Sequence, residues 1–201
     1  MEIHEIIKEK KEIYDQLFAF LDNDDNIELK TLDLINNTKI LHNHEDFKHF
    51  LELIINILNE HHRVSNFISK IKQILQQLFE QIKQTFSNFE LFEIFQSNKL
   101  LLLYFIENNI IIIDKPIFEE LTNKVELNGT LYCHFFIPEI RKFIKEHKIT
   151  TFDTNILELE SSILDNYDKK RHEGENDSYI CSLIREDSVE EFIAYMNKAN
   201  Y

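Results

Sequence analysis

Ser65-Asn-Phe-Ile-Ser-Lys-Ile-Lys-Gln-Ile-Leu-Gln-Gln-Leu-Phe-Glu-Gln-Ile-Lys-Gln-Thr-Phe86 sets apolar side chains at helical intervals. Phe67, Ile68, Ile71, Ile74, Leu75, Leu78, Phe79, Ile82 and Phe86 recur at gaps of three, one and four. At 3.6 residues per turn they share one stripe, while Lys70, Lys72, Gln73, Gln76, Glu80, Gln81 and Lys83 take the other face. The spacing predicts one helix over 65–86. Burying nine such side chains is worth on the order of 20 kcal/mol before chain entropy is set against it. Such a helix needs other helices to lie against.

The neighbouring segments supply them. Phe47, Phe50, Leu51, Ile54, Ile57 and Leu58 predict a helix over 45–60, closed by the polar His61-His62-Arg63. Ile3, Ile6, Ile7, Ile13, Tyr14, Leu17, Phe18 and Leu21 predict another over 2–21. It stops at Asp22-Asn-Asp-Asp-Asn26, side chains that bond to nearby backbone and favour turns. A shorter helix is expected over 27–36. Ser87-Asn-Phe-Glu90 fits a capping box for a helix ending at Phe95, and Ser97-Asn98 breaks and caps again before Lys99 to Glu107. Ile110 to Ile113 has no second β-like run to pair with and is read as an extended, buried connector. Pro116 and Pro138 stand where first-turn prolines belong, opening helices over 116–123 and 138–147. Helices near 155–165, 176–186 and 188–198 complete the chain, with Asp187-Ser-Val-Glu190 a second possible box. Tyr167 to Asn176, charged throughout, is the expected flexible stretch.

The predicted class is all-α: nine or ten helices in antiparallel hairpins, stacked into a curved, solenoid-like array with no significant sheet. We expect one domain, 1–201, with long helices in 1–86 and shorter pairs in 87–201. Composition agrees. Two Gly, two Pro and no Trp in 201 residues oppose a turn-rich β fold and leave no glycine-rich phosphate cradle. A faint repeat points the same way: 91–107 and 180–196 share a short helix, a polar break and a second helix, at no multiple of the ankyrin period.

The net charge of −14 opposes general binding to nucleic acid or to anionic membranes. The acidic excess is greatest over 153–191, which holds 12 acidic and 4 basic residues and reads as a solvated helix surface. Met1-Glu-Ile-His-Glu5 has neither the basic nor the apolar region of a secretory signal, and no apolar run approaches a bilayer's thickness. Cys133 and Cys181 lack paired spacing and read as small buried hydrophobes in a reducing, cytoplasmic setting.

Histidine is the unusual polar residue. His42, His44 and His49 flank the start of the 45–60 helix and His61-His62 closes it; with Glu45 or Asp46 these are zinc-type ligands. The helix between His49 and His61 holds the two groups roughly 18 Å apart at 1.5 Å per residue. They read as polar helix ends, His61 and His62 near a C-terminal dipole. No Gly-x-Ser-x-Gly elbow exists, and Cys133-His134, adjacent in sequence, diverge by about 100° on a helix. No catalytic, metal or cofactor site is therefore expected. The loops near 22–26, 61–66, 108–115 and 167–176 are the candidate binding elements.

A resemblance emerges from several stretches in order. Met1-Glu-Ile-His-Glu-Ile-Ile7 with Glu12-Ile-Tyr-Asp15, Glu60-His-His-Arg63, Phe86-Ser-Asn-Phe89, Ser97-Asn-Lys99 with Leu103-Tyr-Phe-Ile-Glu107, Phe136-Ile-Pro-Glu-Ile140 and Gly174-Glu-Asn-Asp-Ser-Tyr-Ile-Cys181 resemble one leader region. It is the domain of unknown function that precedes ankyrin repeats in a large family of protozoan-parasite proteins. The resemblance implies an all-helical, ankyrin-like architecture, work in binding an unidentified protein partner, and no catalytic residues to carry over. The family's ankyrin array has no counterpart in these 201 residues. The leading expectation is a non-enzymatic protein–protein interaction module. The alternatives are a metal-dependent or other small hydrolytic enzyme using the histidines, and a structural cap for a repeat array that exposes apolar surface around 188–201.

Overall fold

Asn43 starts a long helix through its side chain. Its carboxamide oxygen accepts from the amides of Glu45 (3.0 Å) and Asp46 (3.2 Å), whose carboxylates answer the positive helix end. From there α1 runs His44–Glu60 and buries Phe47, Phe50, Leu51, Ile54, Ile55, Ile57 and Leu58. This computed structural model describes residues 11, 14–15, 17–21, 41, 43–60, 65–123, 132–150, 167–173 and 188–198. Among them helices are the only regular structure, and the chain divides into two compact units, Met1–Thr150 and Thr151–Tyr201. The all-α expectation is met.

The long amphipathic stretch is not one helix but two: α2 (Ser65–Gln77) and α3 (Phe79–Thr85). At the break the Leu78 amide bonds to the carbonyl of Leu75 (3.0 Å), three residues back instead of four. One tightened turn interrupts the helix without Pro, Gly or Ser at the break. The stripe survives it: Phe67, Ile71, Ile74, Leu75, Leu78, Ile82 and Phe86 are all buried. Phe79, half-buried just past the break, rests on Tyr104 and Phe105 at 5.7 and 5.6 Å between ring centroids. Of the predicted first helix, residues 11, 14–15 and 17–21 are described and helical, with Leu17, Phe20 and Leu21 buried. The Lys70 ammonium donates to the carbonyls of Phe20 (3.3 Å) and Leu21 (2.8 Å), tying that segment to α2.

The capping box forms as the sequence reads. In α4 (Asn88–Phe95) the Ser87 hydroxyl accepts from the Glu90 amide (3.3 Å) and the Ser87 amide donates to Glu90 Oε2 (2.8 Å). Hydrogen bonding to the carboxylate from the Ser87 side chain, and then from the Ser87 amide, holds the Glu90 carboxyl below its ordinary range. A depressed carboxylate stabilises fully above the pH at which the unfolded chain's glutamate ionises, and that share is lost as pH falls through the lower folded value. Ser87→Ala should therefore cost about 1 kcal/mol near neutrality. The deficit should narrow, without vanishing, between about pH 7 and about pH 3, read as urea midpoints of variant and parent. An unchanged deficit in acid would deny that the carboxylate is part of the cap.

Asn98 caps α5 (Lys99–Glu107) through its side chain on the Leu101 amide (3.0 Å) and donates to Asn59 on α1 (2.8 Å). Leu101, Leu102, Leu103 and Phe105 are buried over more than half of the circumference of this helix, and Phe95 stacks on Phe105 at 4.1 Å. Asn109, at φ 56°, ends it: its amide bonds the Ile106 carbonyl and the Ile110 amide reaches the Phe105 carbonyl, a Schellman turn. Lys148, at φ 52°, ends α7 (Ile137–His147) similarly. Both left-handed positions carry side chains in a chain with two glycines.

After α5 the predicted buried connector is buried only in part. Ile110 and Ile111 enter the core, whereas Ile112 is 64% exposed. Then α6 (Lys115–Asn123) packs on α4 and on a short 3-10 helix, Tyr132–Phe136, which leads directly into α7 with Pro138 in its first turn. The 3-10 turn has no signal in the sequence. Tyr132 anchors it by donating to the Gln96 carbonyl (2.6 Å). Cys133 beside it is buried.

In the second unit the expected flexible stretch is corrected over 167–173. Tyr167–Glu173 forms α8, in which Asp168 accepts from Arg171 at 2.7 Å one turn on, and Arg171 is 5% exposed with the Tyr167 ring 5.7 Å away. Charge there reflects an internal ion pair, not only solvation. α9 (Val189–Lys198) matches the predicted last helix. The predicted helices at 27–36, 155–165 and 176–186, the start of the first helix before 11, the Asp187 box and the first half of the repeat's second copy lie outside the described residues.

Candidate functional site

The side chain that shapes the surroundings of Ile112, the most exposed large apolar residue among the described ones, is Asn88, the first residue of α4. Its Oδ1 accepts from the Ile112 amide (2.8 Å), and its Nδ2 donates to the Ile112 carbonyl (2.8 Å) and to Asp114 Oδ2 (2.9 Å). The other carboxylate oxygen, Asp114 Oδ1, accepts from the Ile117 amide (3.1 Å) and starts α6. One carboxamide thus fixes the loop between α5 and α6 by the main-chain N–H and C=O of a single residue, Ile112. The Schellman turn pins one end of that loop and the Asp114 cap the other. Held this way, Ile112 points its side chain into solvent.

A hollow lies on each side of the loop. One, about 420 Å³, is floored by Ile106, Ile113 and Phe143 and rimmed by Glu107, Glu139 and Glu146, with Lys142 among them. The other, about 430 Å³, is formed by Phe86, Leu91 and Ile110 under Lys83 and Asp114. Ile112 borders both. Each falls within the size range of ligand pockets. The loop belongs to the predicted binding element 108–115. Loops 22–26 and 61–64 lie outside the described residues, and 167–173 is helical.

The histidines occupy structural surroundings. His44 rests on the Phe86 ring at 4.8 Å, with Nε2 3.4 Å from Glu90 and Nδ1 3.4 Å from Glu45. It joins the start of α1 to the capped start of α4. His49 sits more than a turn further along α1; His42, His61 and His62 lie outside the described residues. Among the described residues no three His, Cys, Asp or Glu side chains gather as a metal site would require. Burial raises the Cys133 thiol above its usual value, which disfavours the nucleophilic thiolate. Burial likewise lowers Lys72 against the opposing pull of Glu107, and raises Tyr104. These two face each other: the Lys72 ammonium lies 5.1 Å over the Tyr104 ring, whose hydroxyl donates to the Lys72 carbonyl at 3.3 Å. That pair locks α2 to α5.

In the second unit Val189 and Ile193, one turn apart on α9, are 58% and 52% exposed. No helix among the described residues is long and apolar enough to cross a membrane. Set against protein-family models, curated proteins and solved structures, the chain matches none.

Proposed function

We propose that this chain is a non-enzymatic protein-binding module of the ankyrin-associated kind, and that the Ile112 loop is its contact element. The observation that carries the reading is the triple grip of Asn88. A large apolar side chain is held outward on a loop fixed at both ends, so a partner meets it without first having to order it. Exposed apolar residues flanked by hollows are what binding surfaces offer, and large anchors in packed surroundings carry most of an interface's energy. The stacking of hairpins in an ankyrin-like array belongs to the same reading. The pairing of α4 with α5 and of α1 with α2 supports it, and an experimental structure whose successive hairpins did not stack would remove it.

The test is comparative capture from a native lysate. The full chain should retain at least one protein that Ile112→Asp does not, with circular dichroism the same for both. A set of captured proteins indifferent to Ile112→Asp would move the contact elsewhere. No capture above control would sink the module itself.

A further inference from the structure

Of the two hollows beside Ile112, the one between the end of α5 and the flank of α7 has a lopsided rim. Glu139 and Glu146 stand seven residues apart on α7, two turns and about 10 Å along one face. Glu107 stands opposite, at the last turn of α5. Among the residues lining the hollow Lys142 is the one cation, against three carboxylates, and outside the lining Lys72 acts on Glu107. The floor between them is apolar: Ile106, Ile113 and Phe143, the last stacked between Phe118 (4.9 Å) and His147 (4.0 Å) and so held in place. About 420 Å³ accommodates on the order of three large aliphatic side chains. The eleven residues of α7 give a wall roughly 16 Å long, enough for about three turns of a helix laid alongside.

We infer that this hollow receives a lysine- or arginine-rich amphipathic helix of another protein, its apolar face on Ile106, Ile113 and Phe143 and its cations toward Glu107, Glu139 and Glu146. The inference rests on the reading of the chain as a protein-binding module and names the chemistry of the partner. An apolar floor sets the depth of such a contact, and anchors at i, i+4 and i+7 suit a groove of this length. The charged rim sets sign and approach: a net charge of −14 steers cations from a distance, and the rim fixes where they settle. A second copy of this chain is disfavoured, because a two-fold contact at this face would set the same carboxylates against one another. An anionic membrane is disfavoured by the same sign.

The experiment uses the full chain and two labelled synthetic helices of about five turns, identical in their leucine face and carrying either lysine or glutamate on the other. Fluorescence anisotropy should show the leucine–lysine helix binding saturably, one to one, and more weakly as salt rises; the leucine–glutamate helix should not bind. Reversing the rim with E107K, E139K and E146K together should weaken binding about tenfold or more. Reversing three exposed carboxylates elsewhere, E80K, E93K and E120K, makes the same change in net charge and should weaken it by about threefold or less. The milder pair E139Q and E146Q, which leaves Glu107 beside Lys72, should act in the direction of the rim reversal and guards against a folding defect. Equal losses in the two triple variants would reduce the effect to overall charge and overturn the assignment. So would equal binding of both helices, or no binding of either. Each of those results leaves the Ile112-dependent capture from lysate to stand or fall by its own outcome.

Discussion

Phe105→Ala should lower the stability of the Met1–Thr150 unit by about 3–5 kcal/mol, the largest loss expected of any single truncation discussed for this chain. The ring is wholly buried, stacks on Phe95 at 4.1 Å, and meets the Phe79 ring at 5.6 Å just past the break between α2 and α3. Removing it opens a space bordered by α3, α4 and α5, of which α4 and α5 are fixed by side-chain caps, so collapse around the gap is limited. Domains are stable by only about 5–15 kcal/mol, so the loss is a large fraction of the total. Urea unfolding should show a lower midpoint at an unchanged slope. A cost near that of an exposed substitution, about 0.5 kcal/mol, would mean the α3–α4–α5 contact is not the centre of this unit.

The second large effect is on order, not on the core. Asn88→Ala removes three hydrogen bonds at once: the two to the Ile112 main chain and the one to Asp114. Net worth per bond is about 1 kcal/mol, so a loss of about 1–3 kcal/mol is expected, with the helices intact. Hydrogen exchange should localise the damage, the Ile112 amide exchanging much faster while amides within α4 and α5 keep their protection. Asn88→Asp is the sharper variant. It keeps an acceptor for the Ile112 amide but sets a carboxylate against the Ile112 carbonyl and against Asp114 Oδ2. Near neutral pH it should be less stable than Asn88→Ala. The reverse order would show that the bond to Asp114 contributes little to fixing the loop.

What could be read from the sequence were the features whose cause is local. Ser87 with Glu90, Asn98 before Lys99, and Pro138 in a first turn act within three residues of themselves, and each does in the structure what its spacing predicts. The stripe from Phe67 to Phe86 reported burial correctly, because burial follows angular position on a helix. It did not report the break at Leu78, since a tightened turn among Leu, Phe and Gln has no residue of its own to announce it. Tyr167 to Glu173 was misread because charge was equated with solvent; Asp168 one turn from Arg171 is the signal that distinguishes the two. The loop site was legible only as an address, 108–115. Its organiser, Asn88, stands 24 residues from Ile112 in sequence, inside a capping box that already explained its neighbours. Nothing short of the fold brings them together.

The grip on Ile112 has a consequence for how the isoleucine run 110–113 behaves toward other chains. Such a run, exposed and extended, is a template for an incoming strand, which adds by bonding to free main-chain groups. Here the Asn88 carboxamide already stands in for that strand, occupying the amide and the carbonyl that an addition would use. Ile112 is thereby denied the main-chain pairing on which edge-to-edge growth and fibril seeding depend, and whatever meets this loop at that residue must recognise its side chain.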